Sequence, residues 1–131
     1  MLVRVHTDDG VIGTAEAVPR PFTYGETQAG IVAVISQLFA PALIGLTLLE
    51  REVAGARMGR TVGNPCAKAA VDMAIWDALG KIQGLPVGDM LGGFTDRLRV
   101  SHMLGFAEPA AMVDEAEKMV DTYGIRTFKV K

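Results

Sequence analysis

The helix predicted between Asn64 and Gly84 constrains the fold of this chain most strongly. Asn64 suits an N-cap, Pro65 suits the first helical position, and Gly84 suits the position just past the last turn. The main apolar stripe of this helix consists of Val71, Ile75, Ala78 and Ile82. Met73 and Trp76 lie outside the stripe, and a helix that is apolar on two sides is normally buried between other elements. We therefore expect this helix to be sandwiched between other elements.

A β-hairpin is predicted near the start of the sequence. Residues 2–5 (LVRV) and 11–17 (VIGTAEA) have the composition of strands, and Asp9 and Gly10 between them form a hairpin turn signal. The sequence therefore predicts two strands joined by a tight turn.

The segment 31–49, IVAVISQLFAPALIGLTLL, is uncharged and long enough to suggest a transmembrane helix. Polar residues and a central proline interrupt it, and no cluster of Lys or Arg flanks it. We therefore expect an amphipathic helix from Thr27 to Ala40, ended by Pro41. The inner face of that helix would consist of Ile31, Val34, Ile35 and Leu38. A weaker helix is predicted over residues 47–58.

After residue 97 the sequence predicts a strand, a helix and a second strand. Residues 97–106 (RLRVSHMLGF) and 125–131 (IRTFKVK) are the strands, and residues 108–124 form the helix. The predicted inner face of this helix consists of Met112, Ala116, Met119 and Tyr123. Two strands joined through a helix in this way are expected to be parallel, with a right-handed crossover.

The final strand carries two lysines on one face. Alternation places Phe128 and Val130 on one side and Lys129 and Lys131 on the other. Taken alone, two lysines at the end of a strand indicate a solvated surface.

Composition excludes several classes of function. A net charge of -2 gives no general attraction to nucleic acid or to an anionic membrane, so neither is an expected partner. Cys66 is the only cysteine, which rules out an internal disulfide. A thiol in the first turn of a helix can have a lowered pKa, but no partner base is evident, and Cys66 is interpreted as structural. No secretory signal follows Met1, and the cytoplasm is the expected compartment.

Residues 67–93, AKAAVDMAIWDALGKIQGLPVGDMLGG, resemble a signature stretch of the mandelate racemase and muconate-lactonizing enzyme branch of the enolase superfamily. The hairpin VRVHTDDGVIGTAEA, the segment FAPALIG and the motif KVK (129–131) agree with the family in order and spacing. The resemblance covers essentially the whole chain. It implies an α+β capping domain over residues 1–93, followed over residues 94–131 by the first βαβ of a TIM-like (β/α) barrel, as a fragment of a larger fold. It also implies a further strand and a mobile loop before the position of Met1.

The resemblance implies an enzyme that takes or returns the proton beside a substrate carboxylate through an enolate. Lys131, the second lysine of KxK, would be the general acid/base. Partial burial and the neighbouring ammonium of Lys129 would disfavour the charged form of Lys131 and so make it a better base. Arg20, Phe22 and Tyr24 are candidate substrate contacts, because they lie in the loop where relatives close the cap over substrate.

His102, on the first predicted barrel strand, is a weaker candidate for the site. Asp72, Asp77 and Lys81 belong to the signature helix, where caps and ion pairs are expected rather than chemistry.

In the family a divalent metal, Mg2+ or Mn2+, stabilises the enolate. Its carboxylate ligands would lie on barrel strands beyond Lys131, so no metal ligand is expected in this chain, and the chain alone is expected to be inactive. The expected partners are a small carboxylate substrate and further copies of the protein in a homo-oligomer.

A muconate cycloisomerase-type lyase or isomerase is the favoured function. A racemase or epimerase, an acid-sugar dehydratase and an o-succinylbenzoate synthase of the same superfamily are alternatives. A non-catalytic capping or assembly module is an alternative from a different class.

Overall fold

The computed structural model describes residues 1–131, which divide into two units, Met1–Gly93 and Phe94–Lys131. The elements of the first unit are β1 (Leu2–His6), β2 (Ile12–Glu16), α1 (Pro21–Tyr24), α2 (Gln28–Val34), a π-helical segment (Ile35–Phe39), α3 (Ala40–Leu43), α4 (Arg51–Gly59), α5 (Pro65–Gln83) and α6 (Val87–Met90). Those of the second unit are β3 (His102–Leu104), α7 (Pro109–Tyr123) and β4 (Phe128–Val130). None of the helices combines the length and the apolar character that crossing a membrane requires.

Strands β1 and β2 form the predicted antiparallel hairpin. The register runs from Leu2 opposite Glu16 to His6 opposite Ile12. The loop is closed by hydrogen bonds around Thr7, and its Gly10 has a φ of 79°, a left-handed conformation that glycine adopts without strain. The hairpin prediction is confirmed.

The hairpin lies against α5 at very short range, and Gly13 makes this approach feasible. A Cβ atom placed on Gly13 would lie 1.9 Å from the carbonyl oxygen of Ala74 and 2.7 Å from the Cβ of Ala78. Ala74 and Ala78 are themselves fully buried. Small residues on both elements therefore let the backbone of β2 pack directly on the helix.

Helix α5 spans Pro65–Gln83 and ends at Gly84 in the left-handed conformation, as predicted. It packs against β1 and β2 and also against α2 and α4, so the prediction of a sandwiched helix is confirmed. Its buried residues are Ala67, Ala70, Val71, Ala74, Ile75, Ala78, Leu79 and Gly80. Ile82, which was expected in the stripe, is 45% exposed because it borders an open groove of about 870 Å³ beside β1.

The helix predicted over residues 27–40 begins as expected but continues past Pro41. Thr27 is its N-cap. The N–H of Ala40 bonds to the carbonyl of Ile35, which is the spacing of a π-helix. This wider turn stands directly before Pro41, whose ring would clash with the carbonyl four residues earlier in a regular α-helix. The prediction that Pro41 ends the helix is therefore wrong.

The π-helical turn also changes which side chain faces the core. Leu38, a predicted core residue, is 50% exposed, whereas its neighbour Phe39 is 2% exposed. A π-helical turn holds more residues than an α-helical turn, so the inward position moves along the chain from Leu38 to Phe39. Ile31 is fully buried, as predicted.

The helix predicted over residues 47–58 begins later, at Arg51. The N–H of Thr47 donates to the Glu50 carboxylate at 2.9 Å, and the N–H of Glu50 donates to the Thr47 carbonyl at 3.0 Å. This locally bonded turn competes with the helix and delays its start.

The second unit is the predicted βαβ unit, with β3 and β4 parallel. Leu104 on β3 is 5% exposed, whereas the inner face predicted for α7 is only partly covered and its Tyr123 is exposed. The strand predicted over residues 97–106 is confirmed only for His102–Leu104, because a strand forms only where a neighbour supplies its hydrogen bonds. The predicted fold class, an α+β unit followed by a βαβ unit, is confirmed.

Replacing Gly13 by alanine should destabilise the first unit by about 3 kcal/mol or more, because the new methyl group overlaps backbone atoms of α5 that cannot move aside. Gly55→Ala is the control: it adds the same methyl group into open space on α4 and should raise helix stability by about 0.5–1 kcal/mol. Urea unfolding of both variants measures the difference. Equal stabilities would contradict the proposed close packing.

Candidate active site

Lys129 lies on the face of the β3–β4 pair opposite α7. Met103 is its register partner, whereas Leu104 is paired with Val130 on the alternate face. Leu104 is buried and β3 contacts α7, which identifies the alternate face as the one that the helix covers. Continued alternation puts Lys131, just past β4, on the same uncovered face as Lys129, and both lysines are exposed.

His102 belongs to the helix-covered face. Its Nε2 lies 2.7 Å from Oε1 of Glu115 on α7, and its ring makes an edge-to-face contact with Phe128 at 6.4 Å. These contacts join both strands to the helix. The structure therefore makes His102 a packing residue and separates it from the lysine face.

Arg20, Phe22 and Tyr24 share one exposed turn in the first unit. Arg20 stands at the N-cap position of α1, and its carbonyl accepts hydrogen bonds from the N–H groups of Thr23 and Tyr24. All three candidate side chains are exposed, and Phe22 is completely so. The structure thus brings these three candidates together on one turn, which we call the α1 turn, while the two lysines lie in the second unit.

Glu26, which follows the α1 turn, is a residue that sequence reasoning missed. It is only 7% exposed and is the one buried charged side chain. One carboxylate oxygen accepts a hydrogen bond from the N–H of Cys66 at 2.7 Å, and the other accepts from the N–H of Ala67 at 3.2 Å. The two donors are the free N–H groups at the start of α5, so Glu26 caps that helix from a distant position in the chain.

Asn64 occupies the predicted N-cap position but does not perform the expected capping with its side chain. Its backbone has a φ of 56°, in the left-handed region, and its side-chain amide donates to the carbonyl of Val62 at 3.0 Å. The side chain is thereby turned away from α5, and the carboxylate of Glu26 replaces it. No local pattern in the sequence marks this long-range contact.

The contact between Glu26 and the start of α5 shifts two pKa values in opposite directions, lowering that of Glu26 and raising that of Cys66. Burial raises the pKa of Glu26, but hydrogen bonds from Cys66 and Ala67, with the nearby charge of Lys68, outweigh it and leave the pKa below its usual value. The hydrogen bond to Glu26, burial and the negative charge of Glu26 all raise the pKa of the Cys66 thiol. The raised pKa favours the protonated thiol of Cys66, in line with its interpretation as a structural residue.

Asp77 and Lys81 fasten the hairpin to α5. A carboxylate oxygen of Asp77 accepts from the N–H of Thr14 at 2.7 Å and from Nζ of Lys81 at 2.6 Å. Lys81 Nζ also donates to the carbonyl of Ile12 at 2.8 Å. The Lys81 bond, followed by the Thr14 bond, lowers the pKa of Asp77. The expectation that these residues make structural ion pairs is confirmed.

The residues of this chain do not form a metal site. No three side chains of His, Cys, Asp or Glu lie close enough together to hold an ion. A divalent metal such as Mg2+ normally requires clustered carboxylate oxygens. No chemical step through a metal is therefore assigned to this chain.

Comparison with protein families and curated proteins gives consistent matches. Residues 1–92 match the family described as mandelate racemase / muconate lactonizing enzyme, N-terminal domain. A chloromuconate cycloisomerase of Cupriavidus pinatubonensis is 36% identical, and an N-succinyl-L-Arg/Lys racemase of Bacillus cereus is 35% identical; each match covers 100% of this chain. The chain spans 36% of the length of each of these relatives.

Solved structures give the same result. A muconate lactonizing enzyme from Mycobacterium smegmatis in complex with muconolactone superimposes with a TM-score of 0.94 at 75% identity. That match covers 99% of this chain and 36% of the solved chain. An L-Ala-D/L-Glu epimerase from Bacillus subtilis superimposes with a TM-score of 0.89 at 34% identity, over 99% of this chain and 36% of that chain.

Glu26 should make the stability of this chain sensitive to acid. Because its pKa is lower in the folded than in the unfolded protein, its contribution is complete above the unfolded pKa and is lost as the pH falls through the folded pKa. Glu26→Gln should therefore cost about 1.5–3 kcal/mol near neutral pH and progressively less in acid. Urea midpoints from pH 7 to about pH 3 measure this difference.

Glu50→Gln is the matched control for this experiment. Glu50 also accepts a backbone hydrogen bond, from Thr47, but it is exposed, so its loss should change stability little at any pH. A constant difference between the parent and Glu26→Gln across the pH range would contradict the role assigned to Glu26.

Proposed function

This chain belongs to the mandelate racemase / muconate lactonizing enzyme family, and we propose that it is the amino-terminal part of an enzyme that moves the proton beside a substrate carboxylate. Residues 1–93 would be the capping domain and residues 94–131 the start of a TIM-like barrel. The family match over residues 1–92 and the parallel βαβ unit after it support this division.

The observation that carries the proposal is the position of the lysines on the uncovered face of β4. In a TIM-like barrel the helices cover the outer face of the strands, and the opposite face points into the barrel. Lys129 is on the face opposite α7 and Lys131 follows at the carboxyl end of the strand. Active sites of such barrels lie at that end of the strands, which is where Lys131 would act.

Lys131 would act as the acid/base. In its neutral form it would take the proton from the carbon beside the carboxylate, and the resulting ammonium would return a proton in the reverse direction. The ammonium of Lys129 would favour the neutral form of Lys131 by repulsion. Enzymes of this superfamily generally use a divalent metal, but this chain provides no ligand set for one.

The α1 turn would bind the substrate. The Arg20 guanidinium can pair with a carboxylate through two parallel hydrogen bonds. Phe22 and Tyr24 can cover the apolar part of a small substrate, because both rings are exposed on the same turn. These features fit a small dicarboxylate such as muconate.

A muconate cycloisomerase is the proposed reaction type. It is supported by the 75% identity to the muconate lactonizing enzyme whose structure contains muconolactone. In ring opening, Lys131 would accept the proton beside the carboxylate, the lactone C–O bond would break, and its electron pair would leave on the released carboxylate. A racemase or epimerase is the second candidate, because relatives with those names match at 35% and 33% identity over the whole chain.

Exchange of the proton beside the muconolactone carboxylate into deuterated solvent tests this proposal in the full-length protein. Lys131→Ala should slow exchange by about a hundredfold or more, the contribution of a positioned acid/base. Lys118→Ala, an exposed lysine on α7, is the control and should exchange at the parental rate. If Lys131→Ala also exchanges at the parental rate, Lys131 is not the base.

Lys129→Met tests the assisting role of the first lysine. Loss of a positive neighbour favours the charged form of Lys131, so the limb of the pH–rate profile that depends on neutral Lys131 should move to higher pH. An unmoved limb would show that Lys129 does not influence the base.

A further inference from the structure

Hydrogen bonds connect the α1 turn to the rest of the first unit only on either side of the turn. On one side Ala17 exchanges backbone hydrogen bonds with Met1, at 2.8 and 2.9 Å. On the other side Glu26 bonds to the start of α5. Between these points, the hydrogen bonds of residues 18–25 all lie within the turn itself. The conformation of the candidate substrate contacts therefore depends on the two anchoring points.

Glu26 is the stronger of the two anchors because its carboxylate accepts from both free N–H groups in the first turn of α5. Pro65 has no N–H group, and the N–H of Lys68 already bonds to the carbonyl of Asn64. Cys66 and Ala67 supply the two remaining donors, and Glu26 accepts from both. Without this carboxylate, a buried N–H group at Ala67 and a half-buried one at Cys66 would lose their partner, which costs free energy.

The link between Glu26 and the turn is short. Only Gly25 separates Glu26 from Tyr24, and its N–H closes α1 by donating to the carbonyl of Pro21 at 3.1 Å. After Glu26, Thr27 immediately caps α2. A displacement of Glu26 from α5 would therefore be transmitted directly to the turn that carries Arg20.

We propose that Glu26 is a positioning residue: by holding the N-terminus of α5, it fixes the α1 turn in the conformation that meets the substrate. This inference rests on the proposed role of the turn in substrate binding. It assigns to Glu26 an effect on substrate affinity in addition to its effect on folding.

The kinetic test uses full-length enzyme with muconate as substrate. Glu26→Gln keeps the size of the side chain and one acceptor oxygen but places an amide NH2 against the second N–H donor. KM should rise by about tenfold, while kcat stays within about twofold. A purely structural role would instead reduce the folded fraction, which lowers apparent kcat and leaves KM unchanged. Glu50→Gln is the control and should change neither constant.

Chymotrypsin provides a readout that does not depend on activity. Cleavage after Phe22 and Tyr24 should be faster in Glu26→Gln than in the parent, because the turn is no longer anchored. Cleavage after Phe94, which is also fully exposed, serves as the internal reference and should not change. If Glu26→Ala proves too unstable to purify, Glu26→Gln and Glu26→Asp still give the comparison, with Asp too short to reach both donors.

The outcomes separate this inference from the proposed function. Unchanged cleavage after Phe22 and Tyr24, or an unchanged KM, would overturn the positioning role of Glu26. Parental proton exchange in Lys131→Ala would overturn the acid/base assignment while leaving a raised KM in Glu26→Gln as support for the positioning role.

Discussion

The buried contact between Glu26 and the start of α5 is the interaction on which the first unit depends. A helix leaves its first N–H groups without partners, and a buried helix cannot satisfy them with water. Here the helix begins with Pro65, and the two donors that follow are taken by a carboxylate from a loop forty residues away in the sequence. The carboxylate of Glu26 therefore connects α5 to the start of α2 and to the loop that carries the candidate substrate contacts.

Other contacts hold the second half of α5. Because Gly13 has no side chain, β2 can lie directly against the helix. Asp77 and Lys81 form hydrogen bonds with the backbone of the same strand. Close packing and directional hydrogen bonds thus act at the same place. The hairpin and the α1 turn consequently share one rigid support, which is the condition for a loop to present side chains in a defined geometry.

The sequence predicted the features that depend on local chemistry. The positions at which α5 begins and ends, the hairpin turn at Gly10 and the βαβ unit follow from nearby residues, and the structure confirms these positions. It did not predict that Phe39 is buried in place of Leu38. A π-helical turn changes which residues face the core, and no sequence pattern marks such a turn. It also missed Glu26, since a carboxylate in a loop carries no sign of the donors it will meet.

For the proposed site, too, the sequence predicted one part and only the structure showed the rest. Alternation placed Lys129 and Lys131 on one face, but only the register of β3 with β4 and the contact of His102 with Glu115 show which face the helix leaves open.

A crystal structure of the full-length protein with bound muconolactone tests the central claim most directly. We predict that Nζ of Lys131 lies within about 3–3.5 Å of the carbon beside the carboxylate. A structure in which Lys131 points into solvent, away from the bound lactone, would contradict the account.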